Sequence, residues 1–237
     1  MSSSPSTPVT LTPVIQPRML RASGVTRRSA GRVLLDDVSV CLDAGDRIAL
    51  VGPTGSGKTL LLRCLAMLDP VDAGEILWFG ERMSGLDVPK YRSRVIYLHQ
   101  RPASSEGTVE DYLRQPYLLR VQQGKQFNRS RIVDLLESLG REESFLAKQQ
   151  QDLSGGEAQL TALLRAMQLD PNILLLDEPT AALDAAAAEL VDRLVASWIE
   201  ERPAERASVW VSHNAEQASR VADRTIHMVN GSLCTPK

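Results

Sequence analysis

The chain has 237 residues, of which 43% are hydrophobic and 24% charged, and its net charge is −2. This length and composition predict a globular protein with one large domain or a core domain with a small insert. The near-neutral charge gives no general electrostatic reason to expect a nucleic-acid partner. The three cysteines are scattered and form no CxxC pair, which argues against a disulfide framework or a zinc site and favours a reducing cytosol.

The N-terminal segment, residues 1–18, is rich in Ser, Thr and Pro and is predicted to be a disordered extension. It lacks the basic start and the apolar centre of a signal peptide. No part of the sequence reaches the roughly 18 to 20 apolar residues that a membrane-spanning helix needs. If the protein serves a membrane process, the membrane-spanning part is therefore expected to be another chain.

Strands and helices are predicted to alternate along most of the remaining sequence. Strands are predicted at 33–40, 47–51, 75–79, 95–98, 173–176 and 208–211, helices at 59–68, 109–119, 130–139, 156–169, 185–202 and 215–222, and a closing hairpin at 225–233. Such alternation with short connections implies an α/β protein with a mainly parallel sheet covered on both faces. The polar segment at about 101–155 departs from this pattern and is predicted to be an inserted helical subdomain.

A glycine-rich loop lies between the apolar strand at 47–51 and the following helix. It consists of Gly52, Pro53, Thr54, Gly55, Ser56, Gly57, Lys58 and Thr59, which match GxxxxGK[ST]. The glycines let backbone N–H groups converge on phosphate oxygens, and the start of the helix adds the positive end of its dipole. Lys58 is expected to contact the β- and γ-phosphates and the Thr59 hydroxyl to bind Mg²⁺. A chance glycine-rich turn is the alternative, and the flanking strand and helix argue against it.

Two acids follow the apolar strand at 173–176. A strand of this kind delivers its first carboxylate, that of Asp177, to the metal beside a phosphate loop, and the second, that of Glu178, can then polarise an attacking water. The alternative is that Asp177-Glu178-Pro179 only ends a strand before a turn. The phosphate loop earlier in the chain favours the catalytic interpretation.

Residues 153–157 read LSGGE and precede a predicted helix. Ser154 is expected to cap that helix, while Gly155 and Gly156 would let the backbone approach an anion closely. A helix cap without a ligand is the alternative.

These motifs, with Gln100 after one strand and His213 after another, resemble the nucleotide-binding subunit of ATP-binding cassette (ABC) transporters. The resemblance covers about residues 19–233 and is loosely closest to the iron-export and aluminium-tolerance type. It implies that 19–237 is one ABC ATPase domain with the P-loop NTPase fold. That fold has a mainly parallel core sheet, an N-terminal antiparallel β part and an inserted helical subdomain.

The resemblance also implies roles for individual residues. Asp177 would serve Mg²⁺ through water, and Glu178 would be the general base. Gln100 would contact the metal and the attacking water, while His213 would contact the γ-phosphate. The residues expected to act on ATP held by a second cassette are Ser154, Gly155 and Gly156, with Asp184 crossing the dimer interface. For Asp184 the alternative is a cap on the helix from 185, and both can be true.

The implied function is ATP hydrolysis coupled to substrate translocation through ATP-dependent closure of a dimer. Its ligands would be ATP and Mg²⁺, and its partners a second cassette, in a homodimer around ATP, and a separate transmembrane permease. The chain itself would be cytoplasmic and peripheral on the cytoplasmic face of the cell membrane. Two other classes remain open. A soluble ABC ATPase acting on nucleic acid or ribosomes usually has two cassettes or a long coiled-coil insert. An unrelated P-loop kinase or GTPase would not explain residues 153–157.

The sequence departs from the family pattern in three places. Near Arg27 and Arg28 it lacks the aromatic residue that stacks on adenine, for which an arginine could substitute through a cation–π contact. Leu160 replaces a basic residue, and Asn214 replaces an acid.

The segment from residue 90 to residue 131 contains nine basic residues and only three acids. This excess of positive charge predicts either a surface that docks a membrane partner or a solvated helical face. The transported substrate and its direction are not encoded in these motifs.

Overall fold

The structure, a computed structural model, describes residues 18–100 and 106–234. The predicted N-terminal extension lies outside the described residues apart from Arg18, and so does the start of the predicted insert at 101–105. Within the described ranges, no helix is both long enough and apolar enough to cross a membrane.

The described residues contain ten strands in two sheets. They are β1 (Leu20–Ser29), β2 (Arg32–Leu42), β3 (Arg47–Val51), β4 (Ala73–Trp78), β5 (Glu81–Arg82), β6 (Val95–Leu98), β7 (Ile173–Asp177), β8 (Ala207–Val211), β9 (Arg224–Val229) and β10 (Ser232–Cys234). The first sheet is antiparallel with the order β2-β1-β4-β5, and the second has the order β10-β9-β3-β8-β7-β6. In the second sheet only β10 runs antiparallel to its neighbour. The predicted α/β class, with a parallel core sheet and an antiparallel β part, is confirmed.

Seven α-helices lie in the described part of the chain. They are α1 (Lys58–Leu65), α2 (Val88–Arg92), α3 (Val109–Arg114), α4 (Arg129–Ser138), α5 (Gly155–Met167), α6 (Ala185–Glu201) and α7 (Ala215–Val221). The polar segment predicted as a helical insert contains α3, α4 and the 3₁₀ helices Gln115–Leu118, Arg120–Gln122, Glu143–Ala147 and Gln150–Asp152.

Strand β7 separates two hydrophobic clusters. All five of its residues are buried, and successive side chains of a strand point to opposite faces. Ile173 and Leu175 pack with the α1 residues Leu61 and Leu62, whereas Leu174 and Leu176 pack in a second cluster that includes residues of α5 and α6. This double burial explains why the strand is a continuous aliphatic run and not an alternating one.

The parallel arrangement brings the ends of distant segments to one edge of the sheet. β3, β8, β7 and β6 are adjacent, and their carboxyl ends point the same way. The residues that end or follow these strands therefore come together at that edge, which is where ligands bind in open α/β sheets.

Helix α1 is shorter than the sequence predicts. It ends at Leu65, not at residue 68, because Met67 adopts φ 54°, in the left-handed region. The N–H of Leu68 then donates to the carbonyl of Arg63 over 2.8 Å, which closes the helix with a turn before Asp69 and Pro70.

The helix predicted at 109–119 also changes character part-way. Its α-helical part, α3, stops at Arg114, and Gln115–Leu118 continue as a 3₁₀ helix. Pro116 has no N–H to donate to the preceding turn, so the α-helical pattern cannot continue through it.

Candidate functional site

The glycine-rich loop connects β3 to α1, and two of its glycines are required by close backbone contacts. Gly52 has φ 152°, and a Cβ atom there would lie 2.0 Å from the carbonyl oxygen of Met228 in β9. Gly57 has φ 104° at the start of α1, and its Cβ would lie 3.2 Å from the carbonyl oxygen of Leu34. The loop is thus seated against β2 and β9, with its N–H groups at the head of α1.

Lys58 holds its ammonium group against this loop. Its Nζ donates to the carbonyl oxygens of Gly52 (2.8 Å) and Pro53 (2.9 Å), and the residue is only 5% exposed. Burial lowers the pKa of Lys58, while the nearby carboxylates of Glu178 and Asp177 act to raise it. The ammonium therefore lies where it can meet a phosphate and where two acids favour its charged form.

A cavity of about 670 Å³ opens beside Lys58. Its volume lies within the range of ligand pockets. It brings together most of the residues predicted to bind and cleave ATP, namely Thr54, Gly55, Gly57, Lys58, Thr59, Gln100, Glu178 and His213.

Glu178 is the centre of this group. One carboxylate oxygen accepts a hydrogen bond from Nε2 of Gln100 (2.7 Å), and the other lies 2.5 Å from Nε2 of His213. The backbone of Glu178 has φ 50°, in the left-handed region that non-glycine residues rarely adopt. Three residues predicted from separate motifs therefore meet at one carboxylate, which is held in a strained conformation of the kind found at functional sites.

Asp177 is 2% exposed and is fixed by a residue that the sequence analysis missed. The hydroxyl of Tyr97 donates to Oδ2 of Asp177 over 2.9 Å. Burial, together with the charge of Asp177, raises the pKa of Tyr97, which keeps the phenol protonated as a donor. A tyrosine in the otherwise aliphatic strand β6, next to the strand that carries the acid, is the signal that could have identified it.

Ser154 caps α5 as predicted. Its hydroxyl accepts from the N–H of Glu157 (3.2 Å), and the Glu157 carboxylate accepts from the N–H of Ser154 (3.1 Å), which forms a capping box. Ser154 and Gly155 are exposed and do not line the cavity that contains Lys58. The cap is confirmed, and the role of this helix start in binding phosphate stays a prediction.

Asp184 is the N-cap of α6. Its Oδ1 accepts from the N–H of Ala187 over 2.8 Å, so the capping alternative is confirmed. Asp184 is exposed and lies outside the cavity of Lys58. Its predicted position across a dimer interface stays a prediction.

The donor set beside Lys58 suits Mg²⁺. Thr59 offers a hydroxyl and Gln100 an amide oxygen at the cavity, and Asp177 offers a buried carboxylate. Across the described ranges no group of three or more His, Cys, Asp or Glu residues could hold a metal ion. One carboxylate with a hydroxyl and an amide oxygen is a donor set of the kind that binds Mg²⁺ together with substrate phosphates and water.

The arginine that could have stacked on adenine, Arg27, is already paired with an acid in the structure. Arg27 forms an ion pair with Asp72, with 2.9 Å between Nη1 and Oδ2. Leu34 lines the cavity with its side chain partly exposed, so an aliphatic surface lies beside the phosphate loop.

Comparisons with known proteins find relatives that cover most of the chain. The sequence profile of the ABC transporter family matches residues 35–181. Protein STAR1 of Oryza sativa subsp. japonica is 35% identical over 216 residues, which cover 90% of this chain and 61% of that protein. The sulfate/thiosulfate import ATP-binding protein CysA of Bordetella bronchiseptica is 34% identical, and the match covers 90% of this chain and 60% of that protein. The chain thus spans about three fifths of the length of these two relatives.

A relative of similar length gives fuller coverage. The probable iron export ATP-binding protein FetA of Escherichia coli (strain K12) is 33% identical, and the match covers 88% of this chain and 90% of that protein. Among solved structures, the ATP-binding cassette MJ0796 in a dimeric post-hydrolysis state with ADP and Pi has a TM-score of 0.82 at 24% identity. The match covers 92% of this chain and 98% of that chain, which shows that the fold is shared.

Proposed function

The chain belongs to the ABC transporter family, and we propose that it is the ATP-binding and ATP-hydrolysing subunit of a membrane transporter. The observation that carries this proposal is the convergence of Lys58, Gln100, Glu178 and His213 on one cavity next to the glycine-rich loop. This arrangement provides the parts that phosphoryl transfer requires, namely a phosphate cradle, a cation and a residue that activates water.

Each residue at the cavity has a defined task in hydrolysis. The loop N–H groups and Lys58 bind the β- and γ-phosphates. Glu178 accepts a proton as the water oxygen attacks the γ-phosphorus, and the bond to the β-phosphate oxygen breaks to release ADP. Gln100 and His213 orient the Glu178 carboxylate toward the cavity through the contacts that they make with its two oxygens.

Thr59, Asp177 and Gln100 would hold Mg²⁺ beside the phosphates. A Mg²⁺ ion held there would supply positive charge to balance the charge that develops on the transferring phosphoryl group. Tyr97 supports this role because its hydrogen bond fixes one oxygen of Asp177 and so orients the other.

The exposed start of α5 supports a dimer. Ser154, Gly155 and Gly156 lie outside the cavity formed by their own chain, yet a capped helix start with two glycines suits an anion. In the proposed homodimer they contact the γ-phosphate of ATP held by the second copy, and Asp184 lies at the same interface. Closure of this dimer around ATP drives the transporter.

A separate permease completes the proposed transporter and holds this chain at the cytoplasmic face of the membrane. Leu118 (86% exposed) and Leu119 (58% exposed) present an apolar surface on the helical insert beside Arg120. Arg114, by contrast, pairs with Glu110 at 2.5 Å and lies over the Phe127 ring, so this basic residue stabilises the insert itself. The leucines are therefore better candidates for docking than Arg114.

The proposal is tested first by nucleotide binding and hydrolysis. The wild-type chain is expected to bind MgATP and release phosphate, while Lys58→Ala should lose nucleotide affinity because the loop loses its cation. Normal ATP binding by Lys58→Ala would contradict the role of this loop.

The transporter is tested by affinity purification of tagged Glu178→Gln protein from detergent-solubilised cells in MgATP, with Lys58→Ala as the control. We expect a stoichiometric membrane protein to accompany Glu178→Gln. Recovery of ribosomes, nucleic acid or soluble proteins alone would favour a soluble ABC ATPase, with the ATPase site unchanged.

A further inference from the structure

Gln159 lies on α5, two residues after the capping box, and only 4% of it is exposed. None of the motifs includes this residue. A buried amide needs partners for both its oxygen and its nitrogen, so the identity of those partners shows what the residue holds in place.

The Gln159 amide contacts three peptide groups from two functional segments. Its Nε2 donates to the carbonyl oxygens of Gln100 (3.0 Å) and Glu178 (3.4 Å). Its Oε1 accepts from the N–H of Ala182 over 3.0 Å. One side chain on the helix that starts at the LSGGE motif thus bonds both Gln100, the second residue after β6, and the loop after β7.

The contact to Glu178 acts on a strained peptide. A residue at φ 50° keeps this conformation only when its neighbours fix it. The N–H of Glu178 donates to Val211 (3.2 Å), and its carbonyl accepts from both Ala181 (3.2 Å) and Gln159. Gln159 is therefore one of the groups that set the direction of the Glu178 side chain.

Close packing joins the start of α5 to the same loop. A Cβ atom at Gly156 would lie 2.8 Å from both the carbonyl oxygen of Ala182 and Cδ2 of Leu183. The helix start therefore rests directly on the backbone that Gln159 bonds, and a movement of one requires a movement of the other.

We propose that Gln159 is a positioning residue that couples the two functional surfaces of the subunit. It links the residues that act on the subunit's own ATP, Gln100 and Glu178, to the helix start that acts on the ATP of the second copy. Occupancy of one site is thereby transmitted to the geometry that serves the other. This inference rests on the proposed ATPase function and dimer.

A purely structural role is the competing explanation, and the same helix end provides a matched control. Gln168 follows α5, is 6% exposed, and donates from Nε2 to the carbonyl of Leu113 over 2.7 Å. It is the same residue type with similar burial, but its side chain makes one hydrogen bond where that of Gln159 makes three, and its Oε1 has no hydrogen-bond partner. In the hydrogen bonds described for it, the Gln168 side chain contacts neither Gln100 nor the loop after β7.

The experiment compares Gln159→Met with Gln168→Met, since methionine keeps the unbranched shape and removes the amide. We expect Gln159→Met to lower the kcat of ATP hydrolysis at least about 10-fold and to bring the Hill coefficient for ATP close to 1. Its ATP affinity, measured in the Glu178→Gln background, should match that of Gln168→Met, and both variants should remain folded at the assay temperature.

Gln159→Glu, with Gln168→Glu as its control, is measured in parallel because it keeps the acceptor and loses the donors. It should reproduce the loss of kcat. Values of kcat and Hill coefficient within about twofold of the Gln168 variants would overturn the proposal. Unfolding of both Gln159 variants alongside folded controls would also overturn it, because the role would then be structural. An inactive wild type would instead overturn the proposed function, and this inference with it.

Discussion

The two ends of strand β7 carry similar acids with opposite surroundings. Before the strand, Asp170 adopts φ 55°, and after it Glu178 adopts φ 50°, so both acids have strained backbones. Asp170 accepts hydrogen bonds from Arg202 and, over 2.8 Å, from Arg206, whose side chain is 2% exposed, and Arg131 lies 4.0 Å away. Glu178 instead faces a cavity together with Gln100 and His213.

The two carboxylates differ in how many positively charged side chains surround them. Arg131 of α4, Arg202 at the end of α6 and Arg206 before β8 surround Asp170, so this half-buried carboxylate is paired with positive charge. Glu178 has one neutral amide and one histidine as partners and a cavity large enough for a ligand. A strained acid that is fully paired indicates structure, whereas one beside a cavity indicates chemistry.

The largest expected effect is on Glu178. Glu178→Gln should lower kcat by about 10³-fold, because general-base catalysis typically contributes 10² to 10⁴-fold. The urea unfolding midpoint should hardly change, and ATP should still bind and accumulate a closed dimer. Phosphate release and size-exclusion chromatography measure both effects. A fully active Glu178→Gln enzyme would refute the general base.

The opposite end of β7 should show the reverse pattern. Asp170→Asn keeps a residue that tolerates positive φ but removes the charge, and it should lower the free energy of unfolding by about 2 to 3 kcal/mol. The reason is that buried Arg206 then keeps only Glu201 and the Trp198 carbonyl as partners, and Arg202 loses its bond to Asp170. Asp223→Asn is the control, since Asp223 pairs with Arg47 on the surface and should contribute under about 1 kcal/mol. Urea titration measures both. A large loss of kcat in folded Asp170→Asn would break the comparison.

Acidification should remove the contribution of ionised Asp170 to the stability of the fold. Burial acts to raise the pKa of Asp170, but hydrogen bonds from Arg206 and Arg202 outweigh it, so the pKa is lowered. A carboxyl group with a lowered pKa stabilises the fold at pH values above its ordinary pKa of about 3.9. This stabilisation is lost as pH falls through the pKa of the folded state. The stability gap between wild type and Asp170→Asn should therefore be constant from about pH 5 to 7 and shrink below about pH 4. A gap independent of pH would show that charge pairing is not its cause.

The smallest expected effect tests the support of Asp177. Tyr97→Phe removes one hydrogen bond, worth about 1 kcal/mol, so the Mg²⁺ concentration for half-maximal ATPase should rise about three- to tenfold. Tyr91→Phe is the control, because the Tyr91 hydroxyl donates to the Leu65 carbonyl in the core. That variant should change stability and leave the Mg²⁺ requirement unaltered, and equal Mg²⁺ dependence in both variants would contradict the role of Tyr97.

The local motifs were predictable, whereas contacts between distant segments were not. Gly52 and Gly57 are fixed by the loop conformation, and Glu178 by its place after a buried strand, so each is visible in a few consecutive residues. Tyr97 reaches Asp177 only because β6 pairs with β7 in a particular register. Gln159 likewise depends on how α5 packs on the loop at 181–183, which periodicity along one helix cannot reveal.

The position of β3 has a consequence for synthesis of the chain. β3 pairs only with β8 and β9 in its sheet, so Ile48 meets Val209 and Arg224. In a nascent chain one edge of this apolar strand therefore has no partner until β8 at 207–211 has been made, and the other has none until β9 at 224–229 has been made. The glycine-rich loop that follows β3 shares this delay, since Gly52 rests against β9. The seat of the glycine-rich loop is therefore complete only after β9 has been synthesised, although the loop itself is made near the start of the chain.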